Sequence, residues 1–253
     1  MTNGLYDIDE FKDNCGFGLI AQLKGQPSHK ILSNAIEALT CMTHRGGIAA
    51  DGKTGDGCGL LLQKPDGFFR AALKDEFGLE LDERYGVGSV MLSQDPIRAT
   101  NVRKVLEEEL KREGLAIVAW RKVPTDPSCL GSIAASSLPQ FEQVFIHTEE
   151  DIGNSSFGAK LFMARRRAEI RLQDDPDFYV ASLSTKVISY KGLVMPVDLP
   201  VFYPDLANQD LETAICVFHQ RFSTNTMPSW ELAQPFRFMC QNGEINTLRG
   251  NVS

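Results

Sequence analysis

The 253-residue chain carries 43% apolar and 23% charged side chains with a net charge of −7, the make-up of a globular protein with a sizeable core. No apolar run nears the roughly 20 residues that cross a bilayer, which excludes a membrane span, and the acidic balance disfavours nucleic acid, whose backbone is held by clustered Lys and Arg. Residues 1–10 hold acidic groups and no apolar stretch, unlike a secretory or transit signal, so the expected location is the cytoplasm.

Residues 16–23 read as a buried strand, and Ser28 as the cap of a helix whose apolar positions Ile31, Leu32, Ala35, Ile36, Leu39 and Met42 follow the 3.6-residue period. Gly46 and Gly47 are expected to end it. A Gly-rich connection over 46–59 leads to a strand at 60–63 and a short helix over 68–77. A strand is predicted at 87–92, then a helix from Pro96 to about Glu113, with Glu107 and Glu108 four residues before Lys111 and Arg112 as surface pairs. Strands follow at 115–120 and 143–147 and a helix at 157–172, in which Arg165, Arg166 and Arg167 form a solvated face. Two closely spaced β-rich runs, 178–183 and 187–190, look like a hairpin, and Pro196, Pro200 and Pro204 punctuate a loop. Apolar runs at 214–218 and 236–239 each lead into a polar motif. Strands and helices mix without strict βαβ alternation, so the pattern supports one α+β or layered α/β domain.

The six cysteines (Cys15, Cys41, Cys58, Cys129, Cys216, Cys240) include no C-x-x-C pair and no zinc or disulfide spacing. Most read as small buried apolar residues. Cys15 differs, because the glycines of Cys15-Gly16-Phe17-Gly18 clear space around its thiol at the start of a strand. The segments His219-Gln-Arg221-Phe-Ser-Thr224-Asn225-Thr226 and Gln241-Asn242-Gly243-Glu244-Ile245 each adjoin an apolar strand, a rigid yet solvent-facing place for chemistry.

With Thr43-His44-Arg45-Gly46-Gly47 and Asp51-Gly-Lys-Thr-Gly-Asp-Gly-Cys-Gly59, these segments resemble class II glutamine amidotransferases, nearest to those of the glutamate synthase large-subunit type. The resemblance covers almost the whole chain. It implies the α+β, four-layer αββα sandwich of N-terminal-nucleophile hydrolases, a leader or propeptide over 1–14, and a type 2 glutamine amidotransferase domain over 15–253. That domain is expected to be incomplete at its carboxyl end, since the acidic residue by which the family reads the glutamine α-amino group is not found before Ser253.

Removal of the leader would make Cys15 the first residue, with its own α-amino group as base. A thiol titrates near 8.5 and an α-amine near 7.7 to 8.0, so the pair is poised close to neutral pH without a histidine. The thiolate attacks the glutamine side-chain amide, ammonia leaves, and water hydrolyses the thioester to glutamate. By resemblance the Asn242 side chain and the Gly243 N–H form the oxyanion hole, Arg221 takes the glutamine α-carboxylate by its bidentate fork, Thr224 and Asn225 shape the pocket, and Arg45 orders the loop beside Cys15. The alternative base is His219, in a Cys–His pair. The family also implies L-glutamine as substrate, ammonia passing to 2-oxoglutarate in a synthase region of the same polypeptide, and a small reductase subunit as a further partner. No cofactor or metal is expected in this segment; FMN and an iron–sulfur cluster belong to the full-length family protein.

Two rival readings remain. Gly47-Ile-Ala-Ala-Asp-Gly52-Lys53-Thr54 satisfies the G-x-x-x-x-G-K-T expression of a nucleotide-binding phosphate loop, but that mechanism needs a strand before the loop and a helix after it. The other is a non-catalytic structural or docking fragment of a synthase.

Overall fold

The computed structural model describes residues 16–148, 150–221 and 227–238. In chain order the elements are β1 (Gly16–Ala21), α1 (His29–Cys41), β2 (Cys58–Gln63), α2 (Asp66–Phe77), β3 (Gly86–Leu92), α3 (Pro96–Arg112), β4 (Leu115–Lys122), α4 (Ser132–Ser136), β5 (Gln140–Thr148), α5 (Asn154–Arg171), β6 (Tyr179–Ser184), β7 (Val187–Gly192), α6 (Leu199–Phe202) and β8 (Ile215–Gln220). The strands form two four-stranded antiparallel sheets, in the orders β1-β8-β2-β7 and β4-β5-β3-β6.

Two-residue periodicity divides the second sheet between two cores. Val87, Met91, Phe141 and Phe145 turn towards the first sheet and join Leu60, Leu62, Ile188 and Tyr190. Val90, Leu92, Val144 and Ile146 turn the other way and meet Val102 and Leu106 of α3 and Phe157, Leu161 and Ala164 of α5. A sheet buried on both faces gives near-continuous apolar runs, which is why β3 stood out in the sequence. Helix α1 lies against β1 and β8, contributing Leu32, Ala35 and Leu39.

Several predicted boundaries hold and others move for identifiable reasons. Asp95 caps α3, its carboxylate accepting from Ile97 N at 2.8 Å, with Pro96 in the first turn. Gly78 closes α2 in the left-handed conformation at φ 66°. Ser28 occupies the N-cap of α1, but its side chain makes no capping bond and its backbone is taken up in a bridge to Thr213. The same helix stops at Cys41 rather than at Gly46, and the chain continues as a 3₁₀ turn over Thr43–Arg45. Glu107 and Glu108 do not serve Lys111 and Arg112: Glu107 accepts from Trp120 Nε1 at 3.0 Å and Glu108 pairs with Arg171 at 2.7 Å. The Arg165–Arg167 run is likewise consumed in ion pairs, with Arg165 buried beside Glu169 and Arg167 bridging Glu109 and Glu113. In the proline-rich loop, Pro200 and Pro204 start helical turns, α6 and a 3₁₀ turn at Pro204–Ala207.

The expected hairpin at 178–190 is not one. β6 pairs with β3 and β7 with β2, so two residues, Thr185 and Lys186, carry the chain from one sheet to the other. A two-residue hairpin turn needs positive φ, supplied by Gly or Asn, and neither residue adopts it. The run at 236–239 is not a strand over its described part, 236–238.

Small residues set the close approach of β1 to β8. Gly18 faces Phe218 across the ladder, and a Cβ there would stand 2.3 Å from the ring. Gly18→Ala is therefore expected to destabilise the protein by about 1–3 kcal/mol, read as a lowered urea midpoint at unchanged slope.

Candidate active site

β1 starts with Gly16, the residue after Cys15, and Gly16 lies opposite Gln220, the residue before Arg221. Sheet pairing thus brings the two ends of the chain's chemistry to one strand end. Arg221 takes φ 83°, the one left-handed non-glycine among the described residues. Such a conformation costs of order 1–3 kcal/mol and persists only where its surroundings hold it.

The holding groups come from the loop before β2. The Arg221 N–H donates to Gly57 O at 2.9 Å, and its Nε lies 3.2 Å from Asp56 Oδ2. The same Asp56 carboxylate accepts from Gly47 N at 2.6 Å, while the Asp56 N–H donates to Gly47 O at 3.2 Å. Asp56 therefore fixes the loop and the guanidinium together. Gly46 leaves room for the Gln220 side chain, since a Cβ there would stand 2.0 Å from Gln220 Nε2 and force that amide to move.

Further out, Asp51 ties the loop to α4, accepting from Thr54 Oγ1 at 2.7 Å, Thr54 N at 2.8 Å and Ile133 N at 2.9 Å. The Thr54 hydroxyl and these N–H groups hold its carboxyl well below the usual range. The phosphate-loop reading of this segment fails here. A 3₁₀ turn precedes the loop and β2 follows it, and the loop closes on itself through an Ile48–Gly55 bridge.

Arg45 lies beside Gly16, its Cγ 3.5 Å from where a Cβ would stand, with its side chain exposed. Cys15, Thr224, Asn225, Asn242 and Gly243 lie outside the described residues. The Cys15–His219 alternative therefore has only its histidine described: His219 is fully buried on β8, level with Phe17 and Gly59. Two other cysteines are unsuited to nucleophilic work, because burial raises the Cys58 thiol strongly and pushes Cys216 up to about 12. Among the described residues no group of three or more His, Cys, Asp and Glu is placed to hold a metal ion, and no helix is long and apolar enough to cross a membrane.

Asp56 was missed as a site residue in the sequence, where it appears only as an acid between two glycines. Its partners come from chain positions 47 and 221, which no local pattern reveals.

The family profile of the class-II glutamine amidotransferases matches residues 15–253. The chain is 43% identical over its whole length to the glutamate synthase [NADPH] large chain of Bacillus subtilis (strain 168), covering 17% of that protein. Over 96% of its length it is 40% identical to ferredoxin-dependent glutamate synthase 2 of Synechocystis sp. (strain ATCC 27184 / PCC 6803 / Kazusa), covering 16% of it. Over 98% it is 37% identical to glutamate synthase [NADH] of Saccharomyces cerevisiae (strain ATCC 204508 / S288c), covering 12%. The chain thus spans less than a fifth of the curated relatives it matches.

Proposed function

Because the chain belongs to the class-II glutamine amidotransferases, we propose that it is the glutaminase part of a glutamate synthase and hydrolyses L-glutamine through a Cys15 thioester. One observation carries the site assignment: the strand that follows Cys15 runs beside the strand that leads into Arg221, whose left-handed backbone is held by Gly57 and Asp56. The family match starting at Cys15 supports a leader over 1–14 and a domain from 15 onward. The pairing of two antiparallel sheets, with α1 on one and α3 and α5 on the other, supports the four-layer αββα arrangement. Membership in the family does not favour the docking-fragment reading.

In this proposal the Cys15 thiol passes its proton to the α-amine and attacks the amide carbon. Asn242 and Gly243 N–H stabilise the oxyanion, the protonated amine gives its proton to the departing ammonia, and water then releases glutamate. Thr224 and Asn225 shape the pocket, and Arg45 orders the loop beside Cys15. The complete polypeptide passes ammonia to 2-oxoglutarate in a synthase region, which also houses FMN and an iron–sulfur cluster, and takes electrons through a small reductase subunit. The cytoplasmic location belongs to the same proposal.

The reading is tested at Arg221. Lysine keeps the charge but loses the planar fork and the Nε contact to Asp56. Arg221→Lys is expected to raise KM for glutamine about 10- to 100-fold, from the 1.5–3 kcal/mol of a charged hydrogen bond, with a much smaller change in kcat. Steady-state glutaminase kinetics with an unchanged KM would remove Arg221 from the α-carboxylate site.

A further inference from the structure

Lys191, on β7, is 1% exposed and among the largest fully buried side chains. Its Nζ donates to Glu231 O at 2.8 Å and to Ala233 O at 2.7 Å. The same ammonium lies 4.6 Å from the ring centroid of Tyr179 and 5.2 Å from that of Phe236, within the range of cation–π attraction. The hydrogen bonds described for this buried amine therefore both go to the backbone of one segment, at Glu231 and Ala233, while Tyr179 of β6 and Phe236 cover it with their rings.

That segment rests on glycines of both neighbouring strands. A Cβ at Gly59 would stand 2.8 Å from Gln234 O, one at Gly57 would meet Ala233 Cβ at 3.0 Å, and one at Gly192 would meet the Trp230 ring at 2.6 Å. The floor lets the backbone of 230–234 lie on β2 and β7 without a spacer. Gly57 also accepts the Arg221 N–H, so the floor and the Arg221 lock share a residue. Five residues beyond Phe236 the sequence reaches Gln241-Asn242-Gly243.

We infer that Lys191 is a positioning residue of the glutaminase site, clamping segment 230–236 onto the Gly57, Gly59 and Gly192 floor and so holding at a fixed place the stretch that precedes Asn242 and Gly243 in the sequence. The inference rests on the oxyanion role proposed above for those two residues. Lys191 touches no reacting atom. Oxyanion donors act on the transition state far more than on bound substrate, so loosening their anchor lowers kcat and leaves KM. Desolvation, then Arg237, lower the Lys191 pKa to about 7, with Glu231 opposing; the two carbonyls and two ring faces are what offset the burial of its charge.

The test is Lys191→Met, which keeps the stem and removes the ammonium. Expected are a fall in glutaminase kcat of about 10- to 100-fold, KM for glutamine within twofold of wild type, and amide exchange at 232–238 at least about tenfold faster, with β2 and β7 protection unchanged. Unchanged kcat and exchange would overturn the clamp, as would a loss of protection throughout the first sheet, the mark of a merely structural lysine. If Lys191→Met does not fold, Phe236→Leu removes one ring face from the ammonium at a half-buried position. It should shift the same two readouts in the same direction by about threefold, and a null result there overturns the inference. A wild-type chain without glutaminase activity would sink the functional reading, and exchange alone would then decide whether Lys191 holds the segment.

Discussion

Cys15→Ala is expected to lower glutamine hydrolysis by about 10³-fold or more, because removing a covalent nucleophile leaves only binding and oxyanion stabilisation. KM should stay within a few-fold, since the α-carboxylate role proposed for Arg221 concerns a different part of the substrate. Intact mass measured beside the rates adds a second check. The wild-type chain should have lost residues 1–14, and alanine in place of Cys15 should still give a folded protein with the same melting behaviour. A variant that turns over at the wild-type rate would move the nucleophile elsewhere; of the described cysteines, Cys58 and Cys216 are unsuited, being buried with raised thiol pKa values, whereas Cys41 is exposed.

Asp205→Ala is expected to cost about 3–5 kcal/mol of stability and to lower Tm by roughly 10 °C in a chain of this size. Arg121 and Asp205 are both nearly inaccessible, with Nη1–Oδ2 at 2.7 Å and Nη2–Oδ1 at 2.9 Å. Gln143 and Tyr190 complete the cluster: Arg121 Nη1 donates to Gln143 Oε1 at 3.0 Å, Gln143 Nε2 donates to Tyr190 OH at 2.9 Å, and Tyr190 OH donates to Asp205 Oδ2 at 3.1 Å. The cluster joins β4 and β5 of one sheet to β7 of the other. Truncating Asp205 strands a buried guanidinium whose remaining carboxylate partner is the half-exposed Glu76 at 2.7 Å. Calorimetry of Asp205→Ala beside Arg121→Met with Asp205→Ala separates the causes. Part of the loss should return in the double variant, where no buried charge is left unpaired.

Local rules made most elements legible. The 3.6-residue period gave α1, and Pro96 marked the start of α3, where the cap geometry of Asp95 agrees. Partner choice was not legible. The runs at 178–183 and 187–190 look like one hairpin by composition, yet they enter different sheets, and the intervening Thr185-Lys186 lacks the positive-φ backbone of a tight hairpin turn. The site divides in the same way. Its motifs stood out through the family resemblance, and Arg221 could be proposed from them. Asp56 and Lys191 could not, because their roles come from atoms supplied by distant stretches, Gly47 and Arg221 for one and Glu231 and Ala233 for the other.

The pairing of β1 with β8 also sets a schedule. In the described sheet β1 is an edge strand whose neighbour is β8, and Gly16 meets Gln220 roughly 200 positions later. At a translation rate of about 5–20 residues per second, the two are made about 10–40 s apart. Until then the strand beside Cys15 has no ladder to join, so any self-processing that depends on its final geometry waits until nearly the whole segment has left the ribosome.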